Sequence, residues 1–162
     1  MKRVIHAVDS LNKAIMFLLA VMIGLMCVCI LLQISSRYVL HMSLSWTEEL
    51  SRYLMIYSAF FGAAIALRSK SLIAVEFFAE RLSESRRRIL KSVILILSIA
   101  FFAVVLVQGL QLVDKVSSQE SASLQISMAI PYASIPIGCF LLILNAVSTI
   151  LEMFVDKEGE IR

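Results

Sequence analysis

Four stretches of the chain carry almost no charge. Residues 14–36 form an uncharged run of 23, closed by Lys13 and Arg37. Residues 92–113 form one of 22, closed by Lys91 and Asp114. An α-helix rises about 1.5 Å per residue, so about 20 residues cross a hydrocarbon layer about 30 Å thick. Both runs therefore predict membrane-spanning helices. The run 121–151 is longer than needed; Pro131 suits a first helical position, which places a span at 131–153. Pro136, one turn in, is expected to bend or loosen that first turn. The run 53–67 is too short alone. Ser45-Trp46-Thr47-Glu48 upstream reads as a capping box with Ser45 as the N-cap, extending the helix to 46–67. The alternation with period two that a membrane β-barrel requires is absent.

Between the second and third spans the pattern changes. Val75, Phe78, Ala79 and Leu82 recur at helical spacing, and Glu76, Glu80 and Glu84 line another face. This predicts an amphipathic helix over 72–84 lying in the membrane interface, with Phe78 and Leu82 turned to the apolar side. Arg86, Arg87 and Arg88 follow, in position to meet an anionic lipid surface. The fold class expected is all-α integral membrane: one domain over 1–162, four transmembrane helices and one short interfacial helix.

Composition agrees. Hydrophobic residues make up 60% of the 162 residues and charged residues 17%; a soluble domain has about 45–50% and 25%. That excludes a soluble enzyme, and a net charge of +3 gives no reason to expect a nucleic-acid partner. Four spans put both termini on one side. Twelve of the fifteen Lys and Arg residues fall on that side, counting the tails and the 68–91 connection. The positive-inside rule then predicts both termini in the cytoplasm. The first run is too long for a cleaved signal peptide and is expected to remain as a helix.

The spans offer little for chemistry. Cys27, Cys29 and Cys139 sit in apolar runs without the spacing of a metal site. His6 and His41 flank the first span, outside the place where a haem would need axial ligands. No catalytic motif, metal site or cofactor is expected. Gln33, Ser58, Ser98, Gln108 and Asn145 are the deep polar residues, of the kind that join helices by hydrogen bonds. Glu152 is expected in a solvated tail. The notable group is Trp46, Glu48, Glu49 and Arg52 at the start of the second span. Both acids can reach Arg52 at helical spacing, and Trp46 fits an interfacial belt. Two acids and one arginine leave a carboxylate in surplus, which calls for a further basic group, such as Arg37 or one from another subunit. The group is expected to be a partner interface or a structural polar cluster.

At these residues the chain resembles a family. Arg37-Tyr38, the run Ser45-Trp46-Thr47-Glu48-Glu49-Leu50-Ser51-Arg52, Phe61-Gly62-Ala63-Ala64 with Arg68, and Pro131-Tyr132 with Ile135-Pro136-Ile137-Gly138 are similar to the small membrane subunit, DctQ type, of tripartite ATP-independent periplasmic (TRAP) transporters. Where that family commonly shows His-Ile and then Val-Asp after the arginine, this chain has Leu72-Ile73 and Val75-Glu76. The resemblance implies a bacterial inner-membrane subunit that pairs as a heterodimer with a large multi-span permease. It further implies sodium-coupled symport of an organic acid delivered by a periplasmic substrate-binding protein. The small subunit would steady the scaffold and help the binding protein dock. A membrane anchor or assembly subunit of another inner-membrane complex fits the same composition.

Overall fold

The computed structural model describes residues 2–39, 41–42, 44–69 and 84–160, without the side chains of 2–4, 84–85, 88 and 153–160. Five helices account for nearly all of it: α1 (Lys2–Val39), α2 (Ser45–Arg68), α3 (Glu84–Val116), α4 (Ala129–Tyr132) and α5 (Ser134–Glu160). Four segments are long and apolar enough to cross a membrane: Ile5–Val39, Ser45–Arg68, Ile89–Val116 and Ala129–Glu152. The described residues contain no strand, only an isolated bridge between Glu120 and Ser127. The all-α, four-span expectation holds.

Local details differ from the sequence expectations. The capping box does not form: Leu44 is the N-cap residue, Ser45 is the first helical residue, and no side chain caps the helix. Instead the buried Thr47 hydroxyl donates to the Leu44 carbonyl at 2.7 Å, and Glu48 is drawn to Arg52. The fourth span is two helices joined at Ala133. Pro136 stands in the first turn of α5 and has no N–H to give the Tyr132 carbonyl, so the ladder cannot run through unbroken. The Ser134 hydroxyl donates to the Pro131 carbonyl at 2.6 Å across the junction. The expected interfacial helix lies outside the described residues, with Phe78 and Leu82. Glu84 instead opens α3, and Arg86–Arg88 follow as helical residues at its start.

The helices pack as an open array in the order α1, α2, α5, α3 rather than a closed ring. α2 lies between α1 and α5, and α3 packs on the far side of α5; among the described residues α3 touches neither α1 nor α2. Half of the α5 span is buried against 11% of the α3 span, so α5 is the spine. On α1 the covered positions recur every three or four residues, with Val8, Ile15, Met22, Cys29 and Ser36 each seven apart and buried. That 3.5-residue period is how a helix keeps one narrow seam against a neighbour along its length. The core joins Ile15 and Met22 to Phe61, Ala64 and Leu67 of α2, Leu141, Leu142 and Ala146 of α5, and Leu95 of α3.

Two glycines set how close the spine sits. A Cβ on Gly138 of α5 would stand 2.4 Å from the Phe60 Cβ of α2. One on Gly109 of α3 would stand 3.0 Å from Ile135 and 3.2 Å from Pro136. Without a hydrophobic drive between helices in lipid, such close approach is what holds spans together. Gly138→Ala should therefore lower stability by about 1–3 kcal/mol through overpacking. Gly24→Ala, where nothing lies within 4 Å, should not. Thermal unfolding in detergent distinguishes the two.

Candidate functional site

Polar side chains gather at the two ends of the array. One is the loop end, where residues 41–42 and the 117–128 connection lie. There the first turns of α2 present Glu48, Glu49 and Arg52. The sequence grouping holds only in part. Glu48 Oε1 pairs with Arg52 Nη2 at 3.2 Å, and both side chains are more than half exposed. Such a pair contributes little to stability. Glu49 does not bind Arg52, and it needs no basic group. Its Oε1 accepts a hydrogen bond from the Tyr53 hydroxyl. Its Oε2 accepts the backbone N–H of Ser123 at 2.9 Å and of Leu124 at 3.1 Å. Arg37 is exposed and is not among the partners of Glu49, and Trp46 is exposed at the helix start.

The loop is shaped to offer those donors. Ser121 N–H reaches the Ile126 carbonyl at 2.9 Å and Met128 N–H the Gln119 carbonyl at 2.8 Å, making a narrow hairpin. Gln125 at its tip adopts φ 51°, the left-handed region that reverses the chain. Successive N–H groups in such a turn make an anion-binding concavity. Here the anion is the Glu49 carboxylate, which ties the loop to α2. Tyr57 adds a second tie, its hydroxyl donating to the Ile130 carbonyl at 2.7 Å. Beneath the loop a groove of about 570 Å³ runs between α2 and the α4–α5 segment. Glu48 and Arg52 line one part of it and Ile56, Phe60 and Ile135 another.

The terminal end holds a cluster that sequence reasoning missed. Arg68, the last residue of α2, donates from Nε and Nη2 to Asp9 Oδ1 of α1 at 2.9 and 2.7 Å, and from Nη2 to Glu152 of α5. The arginine is the most buried of the three. Glu152 is thus no part of a solvated tail; it helps fasten three helices. Further into the array, Asn12 and Asn145 exchange hydrogen bonds at 2.7 and 2.9 Å. Asn145 Nδ2 also donates to the Ala64 carbonyl at 2.8 Å, and Asn12 Nδ2 to the Val8 carbonyl at 2.8 Å. All four amide N–H bonds and both amide oxygens are used. Asn145 is 2% exposed and Asn12 9%. Asp9 and Asn12 are three apart on α1, Ala64 and Arg68 four apart on α2, and Asn145 and Glu152 seven apart on α5, so one face of each helix carries both layers. That shared spacing is the signal in the sequence that could have found them.

Glu48 and Glu49, adjacent in sequence, should differ in what they hold. Glu49→Gln replaces a charged acceptor by a neutral amide with one oxygen, weakening the hold on the Ser123 and Leu124 N–H groups, and should free the 117–128 loop. Glu48→Gln should cost about 0–1 kcal/mol. Limited proteolysis of the loop, read beside the unfolding temperature, should show faster cleavage for Glu49→Gln alone.

Comparison with known proteins bears on the whole assembly. Residues 26–156 match the family described as tripartite ATP-independent periplasmic transporters, DctQ component. The chain is 28% identical over 121 residues to the sialic acid TRAP transporter small permease protein SiaQ of Vibrio cholerae, covering 75% of this chain and 70% of that one. It is 35% identical over 81 residues to a putative TRAP transporter small permease protein of Haemophilus influenzae, half of each chain. It is also 28% identical over 95 residues to the isethionate TRAP transporter permease protein DctMQ of Oleidesulfovibrio alaskensis, covering 57% of this chain but 15% of that much longer one. Four apolar spans, loop-end polar residues on α2 and a match through most of the chain agree: this multi-pass membrane protein belongs to the DctQ family of TRAP transporter small permease subunits, a family of transporter components and not of enzymes.

Proposed function

We propose that the chain is the fixed, scaffolding subunit of a sodium-coupled importer of an organic acid, paired with a large permease and served by a periplasmic binding protein. The observation that carries this reading is where the polar chemistry lies. Residues 14–36, 53–67, 92–113 and 121–151 have no Asp, Glu, Lys or Arg, and the Asn12–Asn145 amides inside the array are spent on each other. Ion paths and substrate sites in membranes are marked by ionisable or free polar groups at depth. Here Asn12, Asn145 and Arg68 fasten helices instead, and the buried Ser58 and Ser148 hydroxyls, without a partner among the described residues, carry no charge; this suits a part that stays still while another moves.

Two observations favour a large permease as partner. The open array leaves α1 and α3 with long apolar faces, Phe17 and Leu31 on one and Leu97, Phe101 and Val104 on the other. In the DctMQ relative, the stretch similar to this chain is a small part of a single long permease polypeptide. The relatives named for sialic acid and isethionate both concern acids, which supports an organic acid as cargo. The Lys/Arg distribution supports a cytoplasmic-membrane location with both termini inside, Arg86–Arg88 at the lipid surface and the Glu49-tied loop facing the periplasm. On that side the loop, with exposed Gln119, Glu120 and Gln125, offers a firm surface for the binding protein.

Reconstituted with its large partner and binding protein, the chain should support substrate uptake driven by sodium; alone it should transport nothing. In a cysteine-free background, single cysteines at Met42 and Ser118, both exposed, should react with an impermeant thiol reagent added outside the cell, and one at Ser83 should not. Uptake by vesicles holding this chain alone would overturn the scaffold reading, and the reverse labelling would overturn the orientation.

A further inference from the structure

The groove at the loop end is graded along its length. It is lined by Ser45, Glu48 and Arg52 where α2 begins, and by Ile56, Phe60 and Ile135 deeper in the array. From Ser45 to Phe60 is 15 residues of helix, about 22 Å at 1.5 Å per residue. The groove thus runs from the rim of the membrane, marked by Trp46, to about the middle of the hydrocarbon layer. A phospholipid has the same grading, with a charged head at the rim and an apolar chain reaching the midplane.

The head-end charges narrow the choice. Glu49 is unavailable, both its oxygens being held by Tyr53, Ser123 and Leu124. Glu48 and Arg52 are more than half exposed and touch each other through one oxygen and one nitrogen, and the second Glu48 oxygen accepts a long 3.5 Å contact from Gln33 Nε2. A guanidinium has five N–H donors, so most of Arg52 remains free for a phosphate. Glu48 keeps acceptor capacity for a cationic N–H donor. An anionic head would meet Glu48 as a like charge, and a quaternary ammonium would have no hydrogen to give it. We propose that this groove is a binding site for a zwitterionic phospholipid with a primary ammonium head, its phosphate on Arg52, its amine on Glu48 and one acyl chain along Ile56, Phe60 and Ile135. The site stands apart from the transport reading and does not depend on it.

Native mass spectrometry of the full chain, delipidated in detergent and then offered phosphatidylethanolamine, phosphatidylcholine and phosphatidylglycerol in turn, tests the assignment. Phosphatidylethanolamine should give a one-to-one adduct that survives activation longer than the other two. Arg52→Ala and Glu48→Gln should each weaken it about tenfold, as expected for loss of a hydrogen bond to a charged group. Arg52→Lys should keep part of it, and Ile135→Trp should block it by filling the groove. A Phe17→Ala control, on the exposed face of α1 and outside the groove, should leave it unchanged. Equal retention of all three lipids, or an adduct indifferent to Arg52→Ala and Ile135→Trp in proteins of unchanged unfolding temperature, would overturn the proposal. So would complete loss of the lipid on adding the large permease, which would assign the groove to a helix of that partner.

Discussion

A carboxamide buried in a membrane protein cannot be left alone, and Asn145 is the point on which this architecture turns. In a medium without water each unpaired polar group costs several kcal/mol. Asn145 sits on the spine helix with 2% of its surface exposed, and its needs are met only when α1 brings Asn12 and α2 brings the Ala64 carbonyl. The requirement is specific in distance and angle, unlike apolar packing. It fixes the rotation of three helices at once and their register along the membrane. Arg68 repeats the demand at the terminal end with Asp9 and Glu152. Ala64 and Arg68 lie one turn apart on α2, so the amide layer and the ionic layer agree on one register.

With the terminal end fastened, the remaining features follow in order. Gly138 and Gly109 let α2 and α3 lie close to the spine, so contacts between small surfaces suffice. α3, which shares in neither polar layer, is held by α5 and the short α4 and keeps most of its surface outward. At the loop end, where the α4–α5 junction interrupts the helix, Glu49 and Tyr57 tie the connecting segment back to α2. The result is an open array with broad apolar flanks.

Much of this was legible in the sequence because length and charge are enough to find spans. The limits of α2 came within one residue and the third apolar span, Ile89–Val116, within three at each end, although α3 itself begins at Glu84, eight residues before the expected start; Pro131 and Pro136 marked the weak point of the fourth span. Glu48 and Arg52 met at helical spacing as expected. Glu49 did not: two of its partners are backbone N–H groups of a loop 74 and 75 residues away, which have no sequence signature, and the third is Tyr53, one turn along α2. The Ser45 cap failed because a capping box is a local pattern, and here Thr47 and Glu48 found other partners. Glu152 was misplaced because charge near a chain end looks solvated until its neighbour Arg68 is known. Asn145 reads as a joining residue from sequence, but its partner Asn12 lies just outside the uncharged run, where a polar residue carries no signal.

The claim that the Asn12–Asn145 pair organises the array is tested by a double-mutant cycle. Asn12→Leu, Asn145→Leu and the double variant would be compared by reversible unfolding in bicelles. Each single change leaves a buried amide without its partner; the double change leaves neither. The account predicts that the double variant is less destabilised than the sum of the two single changes, with a coupling of about 0.6–1.7 kcal/mol, the scale seen for hydrogen bonds between membrane helices. Single changes that simply add, or that leave stability where it was, would contradict it.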